Sequence, residues 1–309
     1  MSTEADSAAK RPSLARRFRR RARPSDALVI LSIPVLSTLV YLLPRGLRES
    51  LVFDYSDPSL FTAFVSTFVH FDAGHLLANL GMYALVVSVA FALSALSGHR
   101  RRFYTVFVTV LLVFPFVLSY LNLAVARPAF AFGTSGVVMA FAGYLPFTLA
   151  AYLDDNFGVG PADQIAPLLF LVGLGVVSAL SLGAGVADGE LALLVTGGTM
   201  VAITLCVVWY ALAAFERRSL GVRLRRATRR SGDFELAVVA LVLCFGVLVV
   251  AFPVDATRDD GVVNLYVHLL GYALGFVSVF ATAETMERLG LQLQPRSPSV
   301  RGRHGHGDR

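Results

Sequence analysis

Gly133-Thr134-Ser135-Gly136-Val137-Val138-Met139-Ala140 opens an apolar run that carries no charge until Asp154. From Ser135 to Leu153 the run is close to the roughly 20 residues that an α-helix needs to cross the hydrocarbon core of a bilayer. Gly136, Ala140 and Gly143 recur within it at helical spacing, a small-residue face on which a second helix can pack closely. Ser135 stands at the head of this run and has two readings. It belongs to a small-residue helix start, or it is a nucleophile. In the second case the rest of the chain must bring a base, an oxyanion site and water to it inside a membrane. The tetrapeptide Gly133-Thr134-Ser135-Gly136 does not decide between them.

Working outward, the whole chain has the same character. Of its 309 residues 56% are apolar and 16% charged, with a mean hydropathy of +0.67. A soluble domain of this length does not need so much apolar surface, so the class is a polytopic helical membrane protein, all-α. The formal charge of +6 is gathered at segment ends. It reads as membrane topology beside anionic lipid rather than as nucleic-acid binding. Cys206 and Cys244 sit inside apolar runs and act as small hydrophobes, not as a disulfide framework.

Eight runs are predicted to span: Ala27 to Leu43, Ala73 to Leu96, Phe103 to Leu121, Ser135 to Leu153, Ile165 to Val186, Glu190 to Phe215, Phe234 to Phe252 and Val262 to Ala283. Residues 1–26 are a polar, basic leader expected to be disordered, and 27–288 form the transmembrane domain. Residues 289–309 are an Arg-, Ser-, Pro- and Gly-rich tail, also expected to be disordered. His304 and His306 in the tail read as solvated polar residues, and no metal site or cofactor is expected. Between the first two runs Leu60, Phe61, Phe64, Val65, Phe68 and Val69 recur at helical spacing. That stripe is too short to span and is expected at the interface or under the loop.

The arginines test the count. With the N-terminus in the cytoplasm, eight Lys/Arg of the leader, Arg100 to Arg102, seven between Arg217 and Arg230, and five from Arg288 onward all fall inside. Only Arg45, Arg48, Arg127 and Arg258 fall outside. This alternation predicts both termini in the cytoplasm and a location in the cell membrane.

Polar groups near the starts of spans are functional candidates, because burying them in hydrocarbon is costly. His75 and Asn79 lie four apart on one face of the second run. Ser135 begins the fourth. His268 lies six residues into the eighth, roughly 9 Å along a helix. All three runs are even-numbered, so their N-terminal ends share the outer leaflet. Gly271 and Gly275 after His268 form a small-residue face that matches Gly136, Ala140 and Gly143, and contact there brings His268 beside Ser135. Each residue also has a plain reading as an interhelical hydrogen-bond or packing group.

In these residues the sequence resembles the rhomboid family of intramembrane serine proteases. His75-Leu-Leu-Ala-Asn79 is similar to that family's His-x3-Asn, Gly133-Thr-Ser135-Gly136 to its Gly-x-Ser-Gly, and His268-Leu-Leu-Gly271-Tyr-Ala-Leu-Gly275 to its His-x2-Gly-x3-Gly. The three occur in the family's order, and His70 stands where its members often carry a histidine. The resemblance covers residues 27–153 and 262–283. It implies a six-helix core, here with two additional helices within about 164–253. It also implies a Ser135–His268 dyad, with His75 and Asn79 supporting the oxyanion and Gly133, Gly136, Gly271 and Gly275 permitting close packing. The chain departs from the family pattern in lacking a Trp-Arg pair in the first outer loop, its one Trp being Trp209, and in having Met139 where several members have Tyr. The expected partners are the bilayer and a transmembrane protein substrate, cut near the outer leaflet. A catalytically silent relative that binds transmembrane clients is the rival reading. A transporter is a more distant one, and it would need polar residues along a whole path.

Overall fold

The structure is a computed structural model. It describes residues 13–125, 129–183, 190–214, 232–253, 257–258 and 261–288. The C-terminal tail, His304 and His306, Arg127 and the arginines between 217 and 230 lie outside the described residues.

Without water to satisfy them, backbone N–H and C=O groups in lipid must bond within their own segment, so long apolar runs become helices. The runs form α2 (Pro24–Tyr41), α5 (Ala73–Leu96), α6 (Arg100–Leu112) with α7 (Phe114–Asn122), α8 (Ser135–Phe157), α9 (Ala162–Gly183), α10 (Glu190–Ala214), α11 (Asp233–Ala251) and α12 (Leu265–Arg288). Among the described residues six helices are long and apolar enough to cross a membrane, or seven if α6 and α7 are counted as one span. The chain is an all-α polytopic membrane bundle. The sequence count of eight also includes α10, which runs 25 residues from Glu190 to Ala214. The third run is not one straight helix: α6 and α7 meet at 44°. Pro115 causes the break, since it lacks the N–H that would bond Leu111 and its ring clashes with that carbonyl.

Helix α8 is the centre. Of its most apolar window 94% is buried, against 17–44% for the other five spans. Helices α5, α9, α11 and α12 pack around it, and α10 lies outside against α9. Ser94 of α5 hydrogen-bonds Tyr144 (2.8 Å) and Thr148 (2.9 Å) of α8, which satisfies three buried hydroxyls at once. The outward faces of α2 and α11 expose Leu28, Leu39, Val242 and Val250. On a span these are the lipid-facing residues.

The loop between α2 and α5 holds α3 (Arg45–Glu49), β1 (Phe53–Asp54), α4 (Leu60–Val65) and a 3₁₀ turn at Ser66–Phe68. Strand β1 pairs antiparallel with β2 (Phe130–Ala131), so this loop clasps the segment that leads into α8. The predicted apolar stripe divides. Phe68 and Val69 are buried and Phe64 stacks on Phe116 at 5.6 Å, whereas Leu60 and Phe61 are exposed. A second two-residue pair joins β3 (Thr257–Arg258) to β4 (Gly261–Val262) between α11 and α12.

The leader requires a correction. Leu14–Arg21 form a docked helix, α1, not a disordered segment. Composition suggests disorder because five of its eight residues are arginine, which stay solvated when no partner is supplied. The partners come from far along the chain. Leu14 and Phe18 pack on the core, Phe18 edge-on to Phe91 at 5.9 Å. Arg17 donates both terminal nitrogens to Asp233 (2.9 and 2.6 Å), and Tyr152 donates to the same carboxylate at 2.7 Å. This cluster ties α1, the end of α8 and the start of α11 together.

Beside this end of the bundle, between α5 and α6, His99 is held well below the ordinary imidazole range, at about 4. Burial is the main cause, with repulsion from Arg102 and Arg21 adding to it, and Asp155 at 3.6 Å is too weak a partner to offset them. The folded state therefore keeps His99 neutral while the unfolded chain protonates it near 6.5. Stability is full above pH 6.5 and falls as pH drops from there toward 4. Thermal melts across this range should show that loss in wild type and a flatter profile in His99→Gln.

Candidate active site

The starts of α5, α8 and α12 and the end of α11 meet around a cavity of ≈ 610 Å³. Ser135, His268, His75, Asn79, Met139 and Ala251 are among its lining residues. How each arrives there follows from local chemistry.

Ser135 is the first residue of α8, after Thr134. The chain enters from β2 through Gly133, whose φ of +98° lies where only glycine is comfortable. Its N–H donates to Ser66 O at 2.9 Å, which fixes the approach to the 3₁₀ turn. A Cβ on Gly133 would stand 3.7 Å from each of Asn79 Nδ2, His70 Nε2 and His75 Cε1. Three polar side chains are thus gathered against the backbone two residues before Ser135. At a helix start the first N–H groups have no partner in their own helix, so the Ser135 N–H is of the kind that can receive an anionic oxygen.

Helix α5 begins at Asp72, whose Oδ2 accepts from His75 N at 2.7 Å and caps the helix. His75 and Asn79 follow one turn apart. His75 is half-buried, with its ring edge-on to His70 (5.2 Å) and near Phe132 (6.1 Å). Asn79 is buried, and its amide nitrogen donates to His70 Nε2 at 3.0 Å. His70 itself is fully buried and its Nδ1 lies 3.3 Å from Phe68 O. A carbonyl oxygen only accepts and an amide nitrogen only donates, so His70 carries its proton on Nδ1 and presents a lone pair to Asn79. That bond turns one Asn79 N–H toward His70 and leaves the other for the cavity. Arg48 secures the segment by donating to His70 O at 2.6 Å.

His268 lies on the first turns of α12 and is buried. Its Nδ1 is 2.8 Å from Ala251 O, the last carbonyl of α11, and Phe252 meets its ring edge-on at 6.0 Å. By the same donor rule Nδ1 carries a proton, and in the neutral ring Nε2 then carries the lone pair. The helix pair that carries it is unusually close. A Cβ on Gly136 would lie 2.6 Å from Val267 Cγ1, and Cβ atoms on Gly271 and Gly275 would overlap the carbonyl oxygens of Gly136 and Ala140. His268 is therefore flanked on its own helix by two residues that press on Gly136, the neighbour of Ser135.

The structure brings Ser135, His268, His75 and Asn79 to one cavity, puts Gly136, Gly271 and Gly275 at tight contacts between α8 and α12, and puts Gly133 at a positive-φ turn with ordinary contacts. Two participants were not on the list of candidates drawn from the sequence. His70 had a signal, its position in the resemblance described above. The Ala251 carbonyl had none, because a backbone atom has no letter in the sequence. Among the described residues no three His, Cys, Asp or Glu side chains group to hold a metal ion. Chemically, the cavity offers a hydroxyl at a helix start, an imidazole whose neutral form, with Nδ1 bonded to Ala251 O, has its lone pair on Nε2, and amide and ring donors beside them. Comparison of the chain with protein-family models, with curated proteins and with solved structures finds no match.

Proposed function

We propose that this chain is an intramembrane serine endopeptidase of the rhomboid type, cutting transmembrane segments of other proteins near the outer leaflet, with Ser135 as nucleophile and His268 as base. The observation that carries it is the pairing of Ser135 and His268 on one cavity with the His268 tautomer set by Ala251 O. In a Ser-His-Asp triad a carboxylate fixes the imidazole tautomer. Here a backbone carbonyl takes that place, which explains how a dyad can work without an acid residue.

In the proposed mechanism His268 Nε2 removes the Ser135 proton as Oγ attacks a substrate peptide carbonyl. The carbonyl electron pair moves onto oxygen, and that oxyanion is held by the Ser135 N–H, the free Asn79 N–H and His75. Collapse expels the amine, which takes the proton from His268. Water, deprotonated by His268, then hydrolyses the acyl ester and regenerates Ser135. Substrate must first unwind, because an intact helix hides its carbonyls in hydrogen bonds. The favoured substrate is a membrane helix weakened by small or helix-breaking residues.

Entry is proposed beside α11. Val250 and Ala251 at its cavity end form part of the wall, while its other end is anchored by Asp233 to Arg17 and Tyr152. Moving the cavity end outward admits a substrate helix and at the same moment withdraws the carbonyl that orients His268. Closure and alignment of the base would then be one event. The two termini lie in the cytoplasm of a cell-membrane protein in this reading, on the strength of the arginine pattern.

The decisive experiment incubates the purified chain in detergent with a labelled transmembrane substrate. Cleavage supports the protease; binding of the substrate without cleavage supports the client-binding relative. Within the protease reading, Asn79→Ala should lower kcat by about 10²- to 10³-fold, the typical loss for one oxyanion donor. The KM should change little, and a proportional rise in KM with kcat intact would remove Asn79 from that role.

A further inference from the structure

At the end of the bundle opposite the cavity, five arginines line a pocket of ≈ 410 Å³: Arg20, Arg21, Arg23, Arg100 and Arg101, with Tyr104 beside them. It is built where α1 meets α2, where α5 ends and where α6 begins. Two of the five are committed to protein acceptors. Arg21 donates to the carbonyls of Ala95 (3.0 Å) and Leu96 and closes the C-terminus of α5. Arg100 pairs with the buried Asp26, donating from Nε to Oδ2 at 3.2 Å and from Nη2 to Oδ1, and Tyr104 donates to the same carboxylate. These bonds make the floor rigid. Arg20, Arg23 and Arg101 have no ion pair among the described residues, and Asp26 is the one carboxylate bonded to any of the five. The pocket is therefore strongly cationic and preformed.

We propose that this pocket binds the phosphate of an anionic phospholipid, such as a phosphatidylglycerol. The charge selects an anion, and planar guanidinium forks suit phosphate oxygens better than a point charge does. The first N–H groups of α6, starting at Arg100, add donors of the same sense. Position selects a lipid. The pocket lies where two spanning segments, α2 and α6, start and one, α5, ends, which is the depth at which phosphates sit just outside the hydrocarbon. Helix α1 lies across this level with Leu14 and Phe18 against the protein and Arg16, Arg19 and Arg20 exposed. A phosphate seated against Arg20 and Arg101 would bridge α1 to α6 directly. The proposal does not depend on the protease reading.

The test uses the full chain, purified in detergent and supplied with equal phosphatidylglycerol and phosphatidylcholine, with bound lipid counted by native mass spectrometry. Wild type is expected to retain one phosphatidylglycerol preferentially. The variant Arg20→Gln/Arg23→Gln/Arg101→Gln should lose that preference by roughly tenfold or more, given what each basic group contributes at an anionic surface. The single variant Arg101→Gln should lose part of it, and it carries the test if the triple variant does not fold. Arg16→Gln/Arg19→Gln removes charge from the same helix outside the pocket and should retain the preference. Equal loss in that control would show diffuse attraction and overturn the site. An unchanged preference in both pocket variants would overturn it too. Inorganic phosphate or glycerol 3-phosphate displacing phosphatidylglycerol at comparable concentration would overturn the lipid as the ligand and leave a soluble phosphate in its place.

Discussion

Ser135→Ala should abolish cleavage of a transmembrane substrate, by roughly four orders of magnitude in kcat or to the assay floor, and His268→Ala should do nearly the same. The double variant should be no worse than the poorer single one, because a nucleophile and its base act as a unit and neither is of use alone. Fold should survive, since Ser135 is only half-buried at the head of α8 and the side chain is small. A fluorophosphonate probe gives an independent readout: it should label wild type at Ser135, fail on Ser135→Ala, and label His268→Ala slowly. Cleavage that persists in both single variants would dispose of the dyad. Labelling at another serine with cleavage intact would move the active site elsewhere in the chain.

The second large effect concerns the fit of α12 against α8. Gly275→Ala puts a methyl group where the Ala140 carbonyl oxygen already lies, and backbone cannot give way as a flexible side chain can. The helices must part, at a cost of about 1–3 kcal/mol typical of overpacking. Since His268 is carried on the same helix two turns earlier, its register with Ser135 is disturbed as well, and activity should fall with stability. Gly246→Ala on α11 is the matched control. Nothing lies within 4 Å of a Cβ there, so the change gains helix propensity, about 0.5–1 kcal/mol, without a clash. Thermal unfolding in detergent should move in opposite directions for the two variants. If both glycines tolerate alanine equally, the close approach is not what holds α12 in place.

Much of the bundle was legible in the sequence because lipid leaves few choices. An uncharged run such as Ser135 to Leu153 can only be a helix, and its glycine face foretold a neighbour at short distance. Pro115 was legible in principle, yet the run around it is so apolar that length overshadowed the missing N–H. The leader was misread for a different reason. Arginines in series look unstructured until Asp233, 216 residues after Arg17, supplies a carboxylate and the bundle supplies a floor for Leu14 and Phe18.

The sequence alone determined which long apolar segments become helices and which small residues permit contact, since these depend on neighbours within a few turns. The tertiary structure decided which helices meet and which atoms serve one another. Only the folded chain puts Ala251 O on His268 Nδ1, His70 Nε2 on the Asn79 amide, and Arg20, Arg23 and Arg101 around one pocket. These pairings join a carbonyl or ring to a partner distant in the chain, and in the first case the decisive atom belongs to the backbone, which is the same in every residue.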